Sequence, residues 1–321
     1  MVDRYFQFET QTTFIDESFG SFGSFAHVLD VSGEDITGDQ QYIYPSTSTG
    51  RVKRNRINGP LKFSGPVDIP VYSISAPSFL YYALGSVTTV TNSPTTNHNT
   101  HTIKKAKTIP FFRAEIGRDQ KAHEYLGGII GGFTLDYSPD EIFTGSFDII
   151  FRKEKTPLAA LSSTVVFPDY NSLERAFGGV EVTPKIAGSN VTFVESLSVT
   201  VENNVAEDAF ALGSRYLPAG IVAELALSGS MDLRYDNSDR YTDWLDGTER
   251  QIELNALHGT GDAQRDINVD LPLCSYDVNR IPTDNIERYV QTIDFTPEQD
   301  TNGDPIIIVI VNQQSNAEIA G

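Results

Sequence analysis

The 321-residue sequence contains a single cysteine, Cys274, and a single tryptophan, Trp244. One cysteine cannot form an intrachain disulfide or supply a thiolate zinc cluster. The longest aliphatic run, Ile306 to Val311, is too short for a membrane-spanning helix and is typical of a buried strand. Met1 to Phe8 holds no apolar stretch of the kind found in signal peptides. The sequence therefore predicts no disulfide framework, no membrane segment and no secretion signal.

Lysine is scarce, and the charge is unevenly distributed. The chain has 9 Lys and 15 Arg against 25 Asp and 18 Glu, a net charge of −19. Residues 201–321 alone carry 22 acidic residues against 7 Arg and no Lys. Because phosphate contacts require Lys and Arg, general nucleic-acid binding is excluded. Solubility in concentrated salt, as in a halophilic host, explains this composition, and so does a surface that must repel DNA. The two explanations are compatible.

Most of the chain alternates apolar and polar residues with a period of two, which is typical of half-buried strands. Phe133, Leu135 and Tyr137 alternate with polar residues before a Ser-Pro-Asp turn, and a second alternating run ends at Phe151. This pattern predicts a hairpin. The longest alternation runs from Leu225 to Tyr235. An all-β fold of roughly ten or more strands follows from such runs.

Two short helices are predicted beside the strands. Pro77 favours a helix start, and Gly85 follows apolar residues as a helix stop. The second helix is expected over Ser238 to Asp246, with Gly247 as its stop. Its apolar face would consist of Tyr241, Trp244 and Leu245.

We expect residues 1–58 to form an N-terminal arm or long loop with a few strands, and residues 59–321 to form one β domain. The N-terminal part ends in a basic run, Arg51, Lys53, Arg54 and Arg56. Residues 155–190 are expected to be an insertion loop, and Val87 to His101 a Thr- and Asn-rich loop. Tyr289 to Val311 is expected to close the fold as a hairpin turning at Asp300 to Asp304.

Few residues suggest catalysis or metal binding. His98 and His101 have a ligand-like spacing, but they lie in a polar stretch and are expected to be a chance pair. Asp236, Asp239, Asp243 and Asp246 share one face of the second helix and lack the spacing of an EF-hand, so a solvated acidic face is expected instead of a calcium site. Glycosidase clefts usually contain several aromatics, and Trp244 is the only tryptophan. We expect no enzyme activity and no cofactor.

Four segments, in order, resemble the tail tube proteins of long-tailed phages and related archaeal viruses. The first is GPLKFSGPVDIPVYSISAPSFLYYALG at Gly59 to Gly85, which resembles an early strand and short helix of the family. The second spans Lys107 to Phe151 and includes YLGGIIGGFTLDYSPDEIFTGSFDIIF. The third, Ser196 to Gly247, holds the Glu-Asn-Asn turn, Leu-Gly-Ser-Arg and a Ser-Gly-Ser strand before an acidic helix. The C-terminal hairpin is the fourth, so the resemblance covers residues 59–311.

The resemblance implies an all-β, β-sandwich-like protomer with one or two short flanking helices. Such protomers form hexameric rings, each contributing strands to a continuous inner β-barrel. The rings would stack into a tail tube that delivers the genome into the host cell. Partners would be further copies of the chain, other tail proteins (tape measure, terminator and baseplate or tip) and passing double-stranded DNA without specific binding. The location would be the virion tail, assembled in the host cytoplasm. The alternative is a secreted or cell-surface β-sandwich adhesin of a halophile.

The alternation assigns the two faces of the predicted strands. We expect Leu225, Leu227, Gly229, Met231 and Leu233 to form the core and assembly strand. Polar residues of opposite parity are nominated to face the lumen of the tube, and they are Asp136, Asp148, Glu202 and Asp232.

Overall fold

The computed structural model describes residues 4–18, 20, 22, 27–29, 31–44, 56–92, 98–162, 165, 176–235, 238–259, 264–281 and 289–320. These residues contain eighteen strands and three short helices, which confirms the predicted all-β fold.

The first nine strands are β1 (Arg4–Gln11), β2 (His27–Leu29), β3 (Gly33–Glu34), β4 (Thr37–Ile43), β5 (Ile57–Pro70), β6 (Gly85–Asn92), β7 (His98–Lys105), β8 (Phe111–Arg118) and β9 (Lys121–Tyr137). The second nine are β10 (Thr144–Glu154), β11 (Val182–Ile186), β12 (Ser189–Asn190), β13 (Val194–Glu202), β14 (Ala226–Arg234), β15 (Arg250–His258), β16 (Arg265–Arg280), β17 (Val290–Glu298) and β18 (Ile307–Asn312). The helices are α1 (Ala76–Leu84), α2 (Asp239–Asp246) and α3 (Asn316–Ala320), and a 3₁₀ turn spans Gly179–Glu181.

Two long strands, β9 and β16, each pair with three other strands and so join the parts of the sheet. Strand β9 pairs with β10 along one side, and with β8 and then β13 along the other. Strand β16 pairs with β15 along one side, and with β18 and then β17 along the other. Between them, β13 pairs with β14 and β14 with β17. Seven strands, β5–β10–β9–β13–β14–β17–β16, are therefore neighbours in one continuous run.

Helix α1 lies inside the main apolar core, and eight of its nine residues are buried. Phe79 packs edge-to-face against Phe8 and Phe147, with ring centroids 4.8 and 4.9 Å away. The alternation predicted for the hairpin is confirmed, because Phe133, Phe147 and Phe151 are buried while β9 and β10 pair as expected. Aromatic pairs of this geometry add to the free energy of burial and hold the helix against the sheet.

Both predicted helices are present with the expected ends. Gly85 has φ +95° and Gly247 has φ +62°, the left-handed conformation that favours glycine after a helix. The backbone N–H of Gly85 donates to the carbonyl of Tyr81. Pro77 stands in the first turn of α1, as expected.

The face assignment for α2 was wrong for two of its three residues, because only Trp244 packs against the main core. Leu245 is 61% exposed and Tyr241 is also exposed, whereas Asp243 is buried. Asp243 accepts hydrogen bonds from Nη2 and Nε of Arg250 at 2.6 and 3.0 Å. The helix therefore contacts the sheet through Trp244 and through a paired carboxylate, and its acidic residues are not a uniformly solvated face. Asp236, the first member of that series, lies outside the described residues.

The stretch Val87 to His101 was predicted to be a loop, and this was wrong. Its described residues form β6 and the start of β7, which pair with each other, and β7 also pairs with β18. The threonines that suggested a loop are β-branched and fit a strand surface. His98 and His101 are both buried on β7, so the loop explanation for that pair was wrong as well. His101 bonds through Nδ1 to Thr89 at 2.8 Å and through Nε2 to Asn312 at 2.8 Å.

The predicted closing hairpin was also wrong. Strands β17 and β18 do not pair with each other, but both run antiparallel to β16 along the same side. Glu298 stands opposite Leu273, and Ile307 resumes the pairing opposite Asp270. The Asp-rich turn therefore interrupts one line of pairing without reversing the chain. A period-two pattern with a central turn signal cannot distinguish these two connections.

Part of the predicted N-terminal arm lies in the main core. Strand β1 pairs with β8 over its whole length, and Phe6 and Phe8 are completely buried. Strands β3 and β4 pair with β5. In the predicted insertion 155–190, β11 pairs with β15 and with the two-residue β12.

Candidate functional site: a polar face of the sheet

One face of the seven-strand run is lined by hydroxyl and carboxylate side chains. In antiparallel pairs, directly opposed residues lie on the same face. Ser146 is opposed to Asp68 on β5 and to Thr134 on β9. Thr134 is opposed to Thr200 on β13, and Thr200 to Ser228 on β14. We call this surface, with its continuation on β17 and β16, the polar face.

The four acids nominated from the sequence all lie on the polar face, one on each of four adjacent strands. Asp148 is on β10, Asp136 on β9, Glu202 on β13 and Asp232 on β14. Asp148 and Glu202 are both opposed to Gly132, which places them on either side of the same glycine. Asp136, Asp148 and Glu202 are exposed, and Asp232 is half-buried.

Asp148 and Glu202 influence each other electrostatically. Partial desolvation, and the nearby carboxylates of Glu207 and Asp68, raise the pKa of Asp148. Burial, and the carboxylate of Asp148, raise the pKa of Glu202. These residues border an open groove with Glu207, whose carboxylate pairs with Lys62 at the margin of the face. The groove therefore concentrates negative charge on one part of the sheet.

Hydroxyl groups on the polar face donate hydrogen bonds to carboxylates of neighbouring strands. Asp232 accepts from both sides, with Ser196 Oγ 3.0 Å from Oδ2 and Thr292 Oγ1 2.6 Å from Oδ1. Ser230 donates to Asp294 at 2.9 Å, and Ser146 donates to Asp68 at 2.5 Å. These bonds cross strand boundaries and fix the side chains on the surface.

Sequence reasoning missed several acids of this face. Asp294 stands between the buried Ile293 and Phe295, the same alternation that identified Asp232. The alternation around Asp294 was visible in the sequence, but β17 was interpreted only as part of a hairpin, and its residues were not assigned to a face. Asp68 follows Val67 and precedes Ile69, and the alternation there is equally clear.

The opposite face of β14 is directed toward the main apolar core, and Leu225 lies just before the strand. Met231 and Leu233 are buried, while Leu225 and Leu227 are partly buried and pack against the main core. Gly229 is opposed to Phe295 of β17 on the same face.

A second apolar cluster covers one end of the polar face. Ile129 and Ile150 point away from the main core and pack with Phe14, Ile109 and Leu217. Leu217 belongs to the irregular segment 203–225, which joins β13 to β14. The segment is held in part by Asn203, whose side-chain amide donates to the carbonyls of Ala83 and Ile130. The polar face is thus open over β10, β9, β13 and β14 and closed at one end.

Within the described ranges, no group of three or more His, Cys, Asp or Glu side chains is arranged to hold a metal ion. No helix in the same part of the chain is long and apolar enough to cross a membrane.

These observations define a class: an all-β protein with a broad sheet face of hydroxyl and carboxylate side chains. The model of the phage tail tube protein family matches residues 9–311, and the chain belongs to that family. It is a structural protein of the virion tail, and the family implies self-assembly into a tube together with other tail proteins. No curated protein matches the chain.

Proposed function

We propose that the chain is the subunit of a tail tube that stacks as hexameric rings and conducts the genome into the host cell. The polar face is proposed to line the lumen, with Asp136, Asp148, Glu202 and Asp232 as lumen residues. The observation that carries this proposal is the placement of these four acids on one face of four adjacent strands.

Barrel geometry supports a pore of useful size. If each of six copies supplies about four strands, a strand spacing of about 4.8 Å and a tilt of about 40° give a barrel roughly 50 Å across. Side chains cannot fill a barrel of that size, so a channel remains. The four strands that hold the nominated acids, β10, β9, β13 and β14, supply this number.

Strand edges support self-assembly. Strand β4 pairs only with β5 among the described residues, and six of its seven residues are exposed. Strand β6 pairs only with β7 in the same part of the chain, and Val90 on it is 58% exposed. Open edges with unpaired backbone groups favour pairing with another chain, and a closed ring removes them.

The charge of the polar face suits transit of DNA without capture. Fixed negative charge repels the phosphate backbone and attracts cations to the wall. At about 1 M ionic strength the Debye length is only about 3 Å, so this repulsion is short-ranged in concentrated salt. In a halophilic host, steric clearance and the contact chemistry of the wall would then matter most.

Cryo-electron microscopy of the purified protein at low and high salt tests the proposal. We expect six-fold rings or stacked tubes with β10, β9, β13 and β14 at the lumen wall. A monomer that persists at high concentration in both salts would contradict the proposal and would favour the adhesin. Tubes with the polar face on the outside would contradict the lumen assignment alone.

A further inference from the structure

Serine and threonine hydroxyl groups line the polar face. Six of them donate to a carboxylate on the same face, and each of those bonds joins neighbouring strands. Besides the pairs already described, Ser275 donates to Glu298 at 2.5 Å, and Thr296 donates to Asp277 at 2.6 Å. A hydroxyl has one proton and two lone pairs, so each of these groups presents only acceptors to the solvent.

Phosphate oxygens, the outermost groups of a duplex, only accept hydrogen bonds. Proteins that hold DNA therefore direct Arg, Lys, Ser, Thr and backbone N–H donors at them. Serine and threonine on a lumen wall would ordinarily offer such donors. Here a neighbouring carboxylate accepts the hydrogen bond that each of the six hydroxyls can donate.

We propose that these carboxylates serve as proton acceptors for six of the wall hydroxyls, and that the polar face limits contact with duplex DNA by withholding these hydrogen-bond donors as well as by its charge. The inference rests on the proposed function, because it assigns the polar face to the lumen. Hydrogen bonding between wall donors and phosphate oxygens acts at contact distance and is not screened by salt, whereas charge repulsion is screened. The loss of these donors would therefore still reduce DNA binding in concentrated salt, where charge repulsion is weakest.

Variants at Asp232 and Asp148 distinguish the effect of charge from the effect of withheld hydrogen-bond donors. Both carry one carboxylate on the polar face, but only Asp232 accepts hydroxyl protons, from Ser196 and Thr292. No hydroxyl among the described residues donates to Asp148. Asp148→Ala thus removes one charge, whereas Asp232→Ala removes one charge and releases two donors.

The test measures retention of a short duplex DNA by tubes assembled from each variant, using co-sedimentation at low salt and at about 1 M salt. In high salt we expect Asp232→Ala tubes to retain several-fold more DNA than wild-type tubes, and Asp148→Ala tubes to match the wild type. A triple variant, Asp232→Ala with Ser196→Ala and Thr292→Val, has the same lost charge without the released donors. Tubes of the triple variant should retain as little DNA at high salt as wild-type tubes. Asp294→Ala, which releases Ser230, should act in the same direction as Asp232→Ala.

Equal retention by Asp232→Ala and Asp148→Ala at high salt would overturn the inference, as would a triple variant that retains as much DNA as Asp232→Ala. The proposed function fails separately, when the wild-type protein forms no tubes. The same four variants can then be compared as monomers by fluorescence anisotropy with the same duplex, because the polar face is accessible in the single chain.

Discussion

The ring of Phe295 lies directly over Gly229 on the neighbouring strand. A Cβ atom at position 229 would come closer to this ring than carbon atoms approach in real structures. The two residues are opposed in the β14–β17 pairing, on the core face. Other glycines show the same relationship, with Tyr5 over Gly117 on β8. An aromatic ring that covers a glycine on the adjacent strand fixes the register of the pair and fills the space of the missing side chain.

Gly229→Val should therefore destabilise the protomer and prevent tube formation. The added methyl groups must displace Phe295 or bend β14, at a cost on the order of 1–3 kcal/mol. Urea unfolding measures the change, and electron microscopy measures the tubes. Ser228→Val on the same strand points to the polar face and serves as the control, with little expected change in stability. Normal tubes and unchanged unfolding for Gly229→Val would show that the covered glycine is incidental.

The C-terminal half of β14 should be more sensitive to side-chain truncation than its start and the residue just before it. Met231→Ala and Leu233→Ala remove buried side chains and should each cost roughly 2–5 kcal/mol. Leu225→Ala and Leu227→Ala remove partly buried side chains and should cost clearly less. Chemical denaturation of the four variants decides this point. Equal losses at all four positions would mean that assembly, and not the protomer core, determines the burial of this strand.

Alternation along single strands was enough to predict the fold class, the β9–β10 hairpin and the placement of four acids on one face. This worked because burial on one side of a strand imposes a period of two on the residues themselves. The course of the chain after Glu298 was not predictable in this way, since a hairpin and an interrupted line of pairing give the same pattern. The partners of Asp232 were not predictable either. Ser196 and Thr292 are far apart in sequence, and only the pairing of β13, β14 and β17 brings them together.

Asp243 should matter more than its neighbours on α2. It is buried and bonded to Arg250, with Arg240 as a second, more distant partner. Because the Arg250 side chain is 36% exposed and water can hydrate it, Asp243→Ala should cost about 1 kcal/mol. Asp246 is exposed on the same helix, and Asp246→Ala is the matched control with little expected effect. Thermal unfolding of both variants checks the difference. Equivalent unfolding of the two would indicate that the Asp243–Arg250 pair adds nothing to the stability of the fold.

Asp266 should make the protein less stable as the pH rises. Burial raises its pKa from the ordinary value of 3.8 to about 6, and its Oδ1 atom is buried without a hydrogen-bond partner. Well below pH 3.8 the carboxyl is protonated in both the folded and unfolded states, and it carries no penalty. Between 3.8 and about 6 the unfolded state ionises first, so stability falls over this window and the penalty is complete above it.

Asp266→Asn keeps the shape of the side chain without the charge. At pH 7 it should be more stable than wild type by about 1–3 kcal/mol, since one pKa unit corresponds to about 1.4 kcal/mol. The difference should shrink as the pH falls through this window and vanish well below pH 3.8. Urea unfolding across this range measures it, with the exposed Glu224→Gln as the control. A constant difference at every pH would attribute the effect to packing and not to ionisation.

Charge reversal on the polar face tests the proposed lumen as a whole. Replacing Asp136, Asp148, Glu202 and Asp232 together with Lys turns four acceptors into cations and exposes Ser196 and Thr292 as donors. Tubes should still form, because three of the four side chains are exposed and do not enter the core. Such tubes should retain duplex DNA, and virions that contain them should eject the genome slowly, since cations bind phosphate with release of counterions.

The salt dependence of ejection by this variant shows whether cation–phosphate binding causes the delay. Cation–phosphate binding weakens steeply as salt rises, so the delay should be largest at low ionic strength. At about 1 M salt, with a Debye length of about 3 Å, most of the delay should disappear, and what remains reflects donors at contact distance. A matched variant places four lysines at Asp140, Asp239, Asp246 and Glu249, which are exposed and lie outside the polar face. It makes the same change in net charge and should eject normally at every salt concentration. If both variants slowed ejection equally, total charge alone would govern transit, and the polar face would have no special place at the wall.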